Sequence, residues 1–132
     1  MCLYMSYLPA MPHILIAEDE SDVREFLVRA VRRLAPAAEI SAVTNGSEAF
    51  AIFQQRSCDL ILTDQRMPLM RGTDLLLAVR RMGSAVPIVF ITADMMAEDQ
   101  AIQAGATAVF IKPISMRQLR QILETWVRPS TT

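Results

Sequence analysis

The chain has 132 residues, 52% hydrophobic and 20% charged, with 13 basic and 14 acidic side chains for a formal net charge of −1. That length suits one globular domain able to bury roughly two-thirds of its unfolded surface, and the near-balanced charge argues against nucleic acid, whose phosphates select a basic face. Cys2 and Cys58 are too few for a disulfide framework or a zinc site, and no apolar run approaches a membrane span.

The opening MCLYMSYLPAMP lacks the basic start of a signal peptide, so the cytoplasm is the default location. Residues 1–12 are read as an N-terminal extension without predicted structure, 13–127 as the domain and 128–132 as a tail. HILIA (13–17) is a short apolar run. SDVREFLVRAVRRLAP follows with Val23, Phe26, Leu27, Ala30, Val31 and Leu34 at helical spacing, and Ser21 is its predicted N-cap. EISAV (39–43) reads as a strand, and NGSEAFAIFQQR as a turn, a cap at Ser47 and a helix. DLILT (59–63) is nearly all apolar, followed by a loop punctuated by Pro68 and Gly72. TDLLLAVRRMG is a helix closed by Gly83. PIVFI (87–91) is another buried strand, a weak helix covers 96–104 up to Gly105, and AVFI (108–111) is the last strand. SMRQLRQILETWV is the last helix, capped by Ser115, with Leu119, Ile122, Leu123, Trp126 and Val127 on one face.

Strands and helices therefore alternate five times, and the inner strands are apolar on both faces. That predicts an α/β fold, a doubly wound parallel sheet covered by helices on each side. In such sheets ligands bind outside the carboxyl ends of the strands. After the first strand come Glu18, Asp19 and Glu20; after the third, Asp64; after the fourth, Thr92; after the fifth, Lys112, the only lysine in the chain. The second strand offers only Thr44 and Asn45. Crowded carboxylates repel unless a cation sits among them, and hard oxygen donors without His or Cys suit Mg2+ rather than zinc. A carboxylate there can take a phosphoryl group as an acyl phosphate, with the metal and a lysine neutralising charge. Glu20 itself is read as a solvated loop acid or helix cap.

The segments ILIAEDESDVREFL, DLILTDQRMPLMRG, PIVFITAD and AGATAVFIKPI closely resemble the receiver domain of two-component response regulators, the CheY-like family, over roughly residues 13–127. The resemblance implies a flavodoxin-like five-stranded parallel sheet in the order 2-1-3-4-5 with five helices. It makes Asp64 the phosphoacceptor for a histidine kinase or histidine phosphotransfer protein. Glu18 and Asp19 are then the acidic pair holding magnesium with Asp64 and the backbone carbonyl of Arg66, Thr92 the switch hydroxyl and Lys112 the lysine that pairs with the phosphoryl group. Glu18 stands where Asp is commoner in the family. Arg66, two residues past the acceptor, is expected to pair with Glu18 or Asp94 and to modulate hydrolysis. Val109 stands where the family usually places Tyr or Phe, and Phe110, one residue later, is expected to face the core instead.

The function expected is a phosphorylation-controlled switch rather than an enzyme, losing its phosphate slowly by its own hydrolysis and docking to an unknown output protein. With only VRPSTT after Trp126, it is read as stand-alone, without nucleic-acid or membrane contacts. Met95, Met96, Arg117 and Arg120 are candidates for a docking surface, packing or a solvated face being the alternative. The rival from another class is a phosphorylation-independent interaction module on the same fold. A haloacid-dehalogenase-like phosphatase would want Asp at position 66, and a flavodoxin-type binder a hydroxyl- and glycine-rich loop where AEDESD stands.

Overall fold

In the computed structural model, which describes residues 11–127, the five apolar runs become parallel strands. They are β1 (His13–Ala17), β2 (Glu39–Val43), β3 (Leu60–Thr63), β4 (Ile88–Thr92) and β5 (Ala108–Ile111), in the spatial order β2-β1-β3-β4-β5. Between and after them run α1 (Ser21–Leu34), α2 (Gly46–Gln55), α3 (Gly72–Arg81), α4 (Met95–Ala104) and α5 (Met116–Trp126). Residues 1–10 of the extension and the tail at 128–132 lie outside the described residues. The predicted fold and strand order are those observed.

Every residue of β1, β3 and β4 is buried, whereas the edge strands β2 and β5 are partly exposed. This is why the central strands carry no polar alternation: helices cover both faces. Ile14, Ile16, Leu60, Leu62, Val89 and Ile91 face α1 and α5, while Leu15, Ala17, Ile61, Ile88 and Phe90 face α2, α3 and α4. Full burial of one such side chain is worth about 1.5–3 kcal/mol, so the central strands hold the scaffold on which the loops ride.

The helix ends depart from the sequence reading in detail. The residue flanking α1 is Glu20, without a side-chain cap bond, and Ser21 already lies inside the helix. At α2 the cap is Asn45, whose Oδ1 accepts from the Glu48 N–H at 2.8 Å, rather than Ser47. Asn and Ser are comparable caps, and the earlier one wins because Gly46 starts the helix against a neighbouring loop. Ser115 caps α5 as predicted. Gly83 and Gly105 both adopt left-handed φ, +85° and +101°, just past α3 and α4, the conformation in which glycine avoids a Cβ penalty. Phe26 departs further: it is 39% exposed, in a shallow groove between α1 and α5 beside Met116, because Leu27, Ala30 and Val31 fill the buried stripe. Helix α4 is anchored lightly, its only buried residues being Ala97 and Ala101.

At the amino ends of the strands His13 is buried and bonded on every side. Its backbone N–H donates to Asp59 Oδ2 at 2.8 Å, its carbonyl accepts from the Asp59 N–H at 2.7 Å, and Nδ1 donates to the Ser57 carbonyl at 3.0 Å. Nε2 lies 2.7 Å from Ser41 Oγ, a hydroxyl able to meet either ring state. At the opposite end, the β3–α3 loop folds back tightly. The Gly72 N–H donates to the Gln65 carbonyl at 3.1 Å and the Gly46 N–H to the Met70 carbonyl at 3.1 Å. A Cβ at Gly72 would stand 2.3 Å from the Asp64 carbonyl oxygen and 2.6 Å from the Phe90 ring, both immobile. Gly72→Ala is therefore expected to lower stability by about 2 kcal/mol, read as a shifted urea midpoint at unchanged slope. A midpoint equal to that of wild type would mean that the loop adjusts freely.

Candidate functional site

The strand order brings the carboxyl ends of β1, β3, β4 and β5 to one edge, and the loops leaving them enclose an open cleft of about 690 Å³ lined by Asp19, Glu20, Asp64, Arg66, Thr92 and Lys112 among others. Lys112 follows β5 directly. Its Nζ lies 2.8 Å from Asp64 Oδ2, 3.1 Å from Glu18 Oε1 and 2.9 Å from Glu20 Oε1. Glu18 and Asp64 are 1% and 5% exposed, so two carboxylates and an ammonium share a largely desolvated space.

Burial dominates Glu18 and pushes its carboxyl up from an ordinary 4.5 to about 7, against the opposing pull of the Glu20 N–H and Lys112. Burial alone would lower Lys112; the hydrogen bonds to Asp64 and Glu20 outweigh it and hold the ammonium above its ordinary value. Asp64 is fixed from two sides, Oδ2 by Lys112 and Oδ1 by the Gln65 backbone N–H at 2.6 Å. The β1–α1 loop is steadied by Arg24 on α1, whose Nη1 donates to the Glu18 carbonyl at 2.9 Å.

The sequence-predicted residues gather as follows. Glu18, Asp64 and Lys112 are in direct contact, and Thr92 is buried at the end of β4, its Oγ1 accepting from the Asp94 N–H at 3.4 Å. Asp19 is exposed at the cleft wall, outside the closest carboxylate cluster; that cluster is Glu18, Glu20 and Asp64, with ligand oxygens within 4.8 Å of one another. Glu20 is exposed and flanks α1, as expected, and its carboxylate in addition meets Lys112, which reaches the loop from the far strand. Arg66 Nη2 pairs with Asp94 Oδ2 across the mouth of the cleft, not with Glu18. Asp94 also caps α4: the Met96 N–H, first, and then Arg66 hold its carboxyl below the ordinary range.

Register explains the missing ring. Val109 pairs with Phe90 and Ile111 with Thr92, so a β-branched aliphatic pair accompanies the threonine on the α4 face. Phe110 packs half-buried on the opposite face, against α1 and α5. In the β3–α3 loop and at the start of α4, Leu69, Met95 and Met96 are 85%, 75% and 71% exposed, which rules out plain packing for the two methionines. Leu69 has a left-handed φ of +68° at the tip of the β3–α3 loop. Arg117 and Arg120 are exposed on α5.

One residue went unnoticed in the sequence. Gln65, directly after Asp64, is 3% exposed, and its amide bonds to Thr73 and Gln100. Its signal was a second polar residue after the strand that ends at Thr63, which also describes many surface loops.

The family model described as the response regulator receiver domain matches residues 14–124. Among curated relatives, the probable transcriptional regulator ycf27 of Cyanidium caldarium is 33% identical over 118 residues, covering 88% of this chain and 46% of that protein. The sensor protein GacS of Pseudomonas syringae pv. syringae is 40% identical over 96 residues, covering 67% of this chain and 11% of that protein. The chain spans about half or less of the length of such relatives. Among solved structures, the receiver domain of the sensor histidine kinase PA1611 from Pseudomonas aeruginosa PAO1, described with a magnesium ion coordinated in its active-site cleft, superposes with a TM-score of 0.80 at 28% identity, over 89% of this chain and 98% of that one.

The buried Glu18 carboxyl makes stability depend on pH. Because its folded value is about 7 against an ordinary 4.5, the folded state binds more protons than the unfolded chain between those values. Stability from this group is thus highest at the acid end, falls as pH rises through that window and stays low above it. Glu18→Gln removes the titrating charge and keeps one of the two acceptor oxygens. In EDTA its stability relative to wild type should rise by about 2 kcal/mol between pH 4.5 and pH 8 in urea unfolding. The same offset at both pH values would disprove this account.

Proposed function

The chain belongs to the response regulator receiver-domain family, and on that premise we propose that it takes a phosphoryl group on Asp64 from a histidine kinase or a histidine phosphotransfer protein and signals through protein docking. The observation that carries this reading is Lys112: its ammonium bonds the buried Asp64 carboxylate at 2.8 Å while two further carboxylates stand within reach. The family acts generally as a phosphoacceptor switch, and the reading extends that to this chain's own residues over 13–127. No helix among the described residues is long and apolar enough to cross a membrane.

The donor set suits magnesium. It is all oxygen, it is anionic, and it holds Glu18, Glu20 and Asp64 oxygens within 4.8 Å of one another. In this reading Asp64, Glu18, Asp19 and the Arg66 carbonyl hold the ion, with Glu20 as a further carboxylate. When bound, magnesium neutralises charge on the transferring phosphoryl group. A carboxylate oxygen of Asp64 attacks phosphorus; the phosphorus–nitrogen bond of the phosphohistidine breaks and the imidazole leaves. Lys112 then exchanges its carboxylate partner for a phosphoryl oxygen, and Thr92 donates its hydroxyl. Attack of water on phosphorus later breaks the phosphorus–oxygen bond, returning Asp64 and inorganic phosphate.

Arg66 and Asp94 span the cleft mouth and act here as modulators that shield the acyl phosphate from water. The aliphatic Val109, in place of a ring, leaves the family's aromatic readout without its usual side chain. An interaction module indifferent to phosphate would instead stay unmodified in the assay below.

With acetyl phosphate and magnesium, wild type should gain one phosphoryl group by intact-mass spectrometry, and Asp64→Asn none; an unmodified wild type would sink the reading. Lys112→Ala should cut the labelling rate at least tenfold while magnesium still binds, followed by titration calorimetry. Arg66→Ala should shorten the lifetime of the phosphorylated form several-fold, and an unchanged lifetime would remove Arg66 from the modulators.

A further inference from the structure

We propose that Gln65 is a positioning residue that ties the acceptor loop to helix α4, so that the state of Asp64 is felt at α4 through one buried amide. The inference rests on the phosphoacceptor reading of Asp64 and adds a route by which the rest of the molecule responds to it.

Gln65 touches both ends of that route. Its backbone N–H donates to Asp64 Oδ1 at 2.6 Å, and its carbonyl accepts from Gly72 at 3.1 Å. Its side chain leaves the cleft and is buried. Oε1 accepts from the Thr73 N–H at 2.8 Å, while Nε2 donates to Thr73 Oγ1 at 3.1 Å and to Gln100 Oε1 at 3.2 Å. The Thr73 N–H fixes which end of the amide carries oxygen, so the NH2 must face Gln100, and Gln100 must answer with an acceptor. A shift of the Gln65 peptide, which any rearrangement of Asp64 Oδ1 demands, therefore either carries α4 along or breaks that bond.

Helix α4 is suited to respond. Ala97 and Ala101 are its only buried residues, so little apolar surface pins it to the sheet. Two polar straps from adjacent residues of the acceptor loop supply the rest: the exposed Arg66–Asp94 pair at its amino end and the buried Gln65–Gln100 contact further along. An exposed ion pair contributes little by itself. The amide contact, shielded on the Gln65 side, is the stronger of the two.

The test is hydrogen exchange on the full chain, free and with magnesium plus beryllofluoride, with ligand binding followed separately by fluorine NMR. Gln100 is exposed and on no part of the cleft, so its variants leave the acceptor site intact. Gln100→Ala should speed α4 exchange about fivefold in the free protein, leave α1 and α5 unchanged, and shrink the change that beryllofluoride makes in α4. Gln100→Glu keeps the acceptor oxygen and should retain wild-type behaviour in both states, whereas a merely helix-stabilising role would predict slower α4 exchange in Gln100→Ala, since alanine is the stronger helix former. Wild-type exchange in Gln100→Ala, an equal loss in Gln100→Glu, or an α4 that ignores bound beryllofluoride would each overturn the proposal. Beryllofluoride that fails to bind wild type is a different failure: it sinks the acceptor reading, and the coupling to Asp64 with it.

Discussion

A single ammonium among three carboxylates is the contact on which the rest depends. Glu18 and Asp64 come from neighbouring central strands and are nearly inaccessible to water, a placement that like charges would not tolerate unaided. Lys112 reaches them from a strand two places from β3 and three from β1 in the sheet, on a stem long enough to cross the end of β4. Even so the balance is incomplete, since the Glu18 carboxyl stays well above its ordinary range. The same arrangement suits a lysine rather than one of the chain's many arginines. A compact ammonium fits three separate oxygens where a planar guanidinium would favour a two-point match to one.

The β3–α3 loop carries that arrangement outward. It begins at Asp64, turns at Leu69 and returns so closely that only glycine fits at position 72. On the way its backbone holds one oxygen of Asp64, its carbonyl at Met70 meets the start of α2, and its side chains at 65 and 66 meet α4. Few residues separate the Asp64 carboxylate from three helices. Among the described residues every buried side-chain nitrogen and oxygen has a partner, so the polar contacts in this loop are satisfied rather than frustrated.

Much of this was readable from the residues alone, for a physical reason. Full burial on both faces forces the central strands to be continuously apolar, and HILIA, LILT and IVFI show that without ambiguity. Once the alternation fixes a doubly wound sheet, the residues after each strand must converge, which located Glu18, Asp64, Thr92 and Lys112. What stayed hidden depends on side-chain reach rather than on placement. Glu20 belongs to the cluster because Lys112 extends to it, and Asp19 faces the cleft wall although it is nearer the strand. Gln65 is buried because α3 and α4 close over it, a tertiary fact with no local period. Phe26 sits at helical spacing yet remains half-open, since three smaller neighbours already complete the stripe. The caps at Asn45 and Glu20 were misplaced by one or two positions, the ordinary ambiguity where several polar residues adjoin a helix start.

The histidine at the opposite edge gives the molecule an uneven stiffness. Backbone and ring of His13 are bolted to β2 and to the segment before β3 by four bonds, and the close-packed middle of the sheet is as rigid as protein interiors generally are. A disturbance at the cleft edge therefore cannot dissipate by sliding strands past one another toward the base. It has to go sideways, into the loops and the lightly held α4, so the fixed foundation decides which part of the protein gives way.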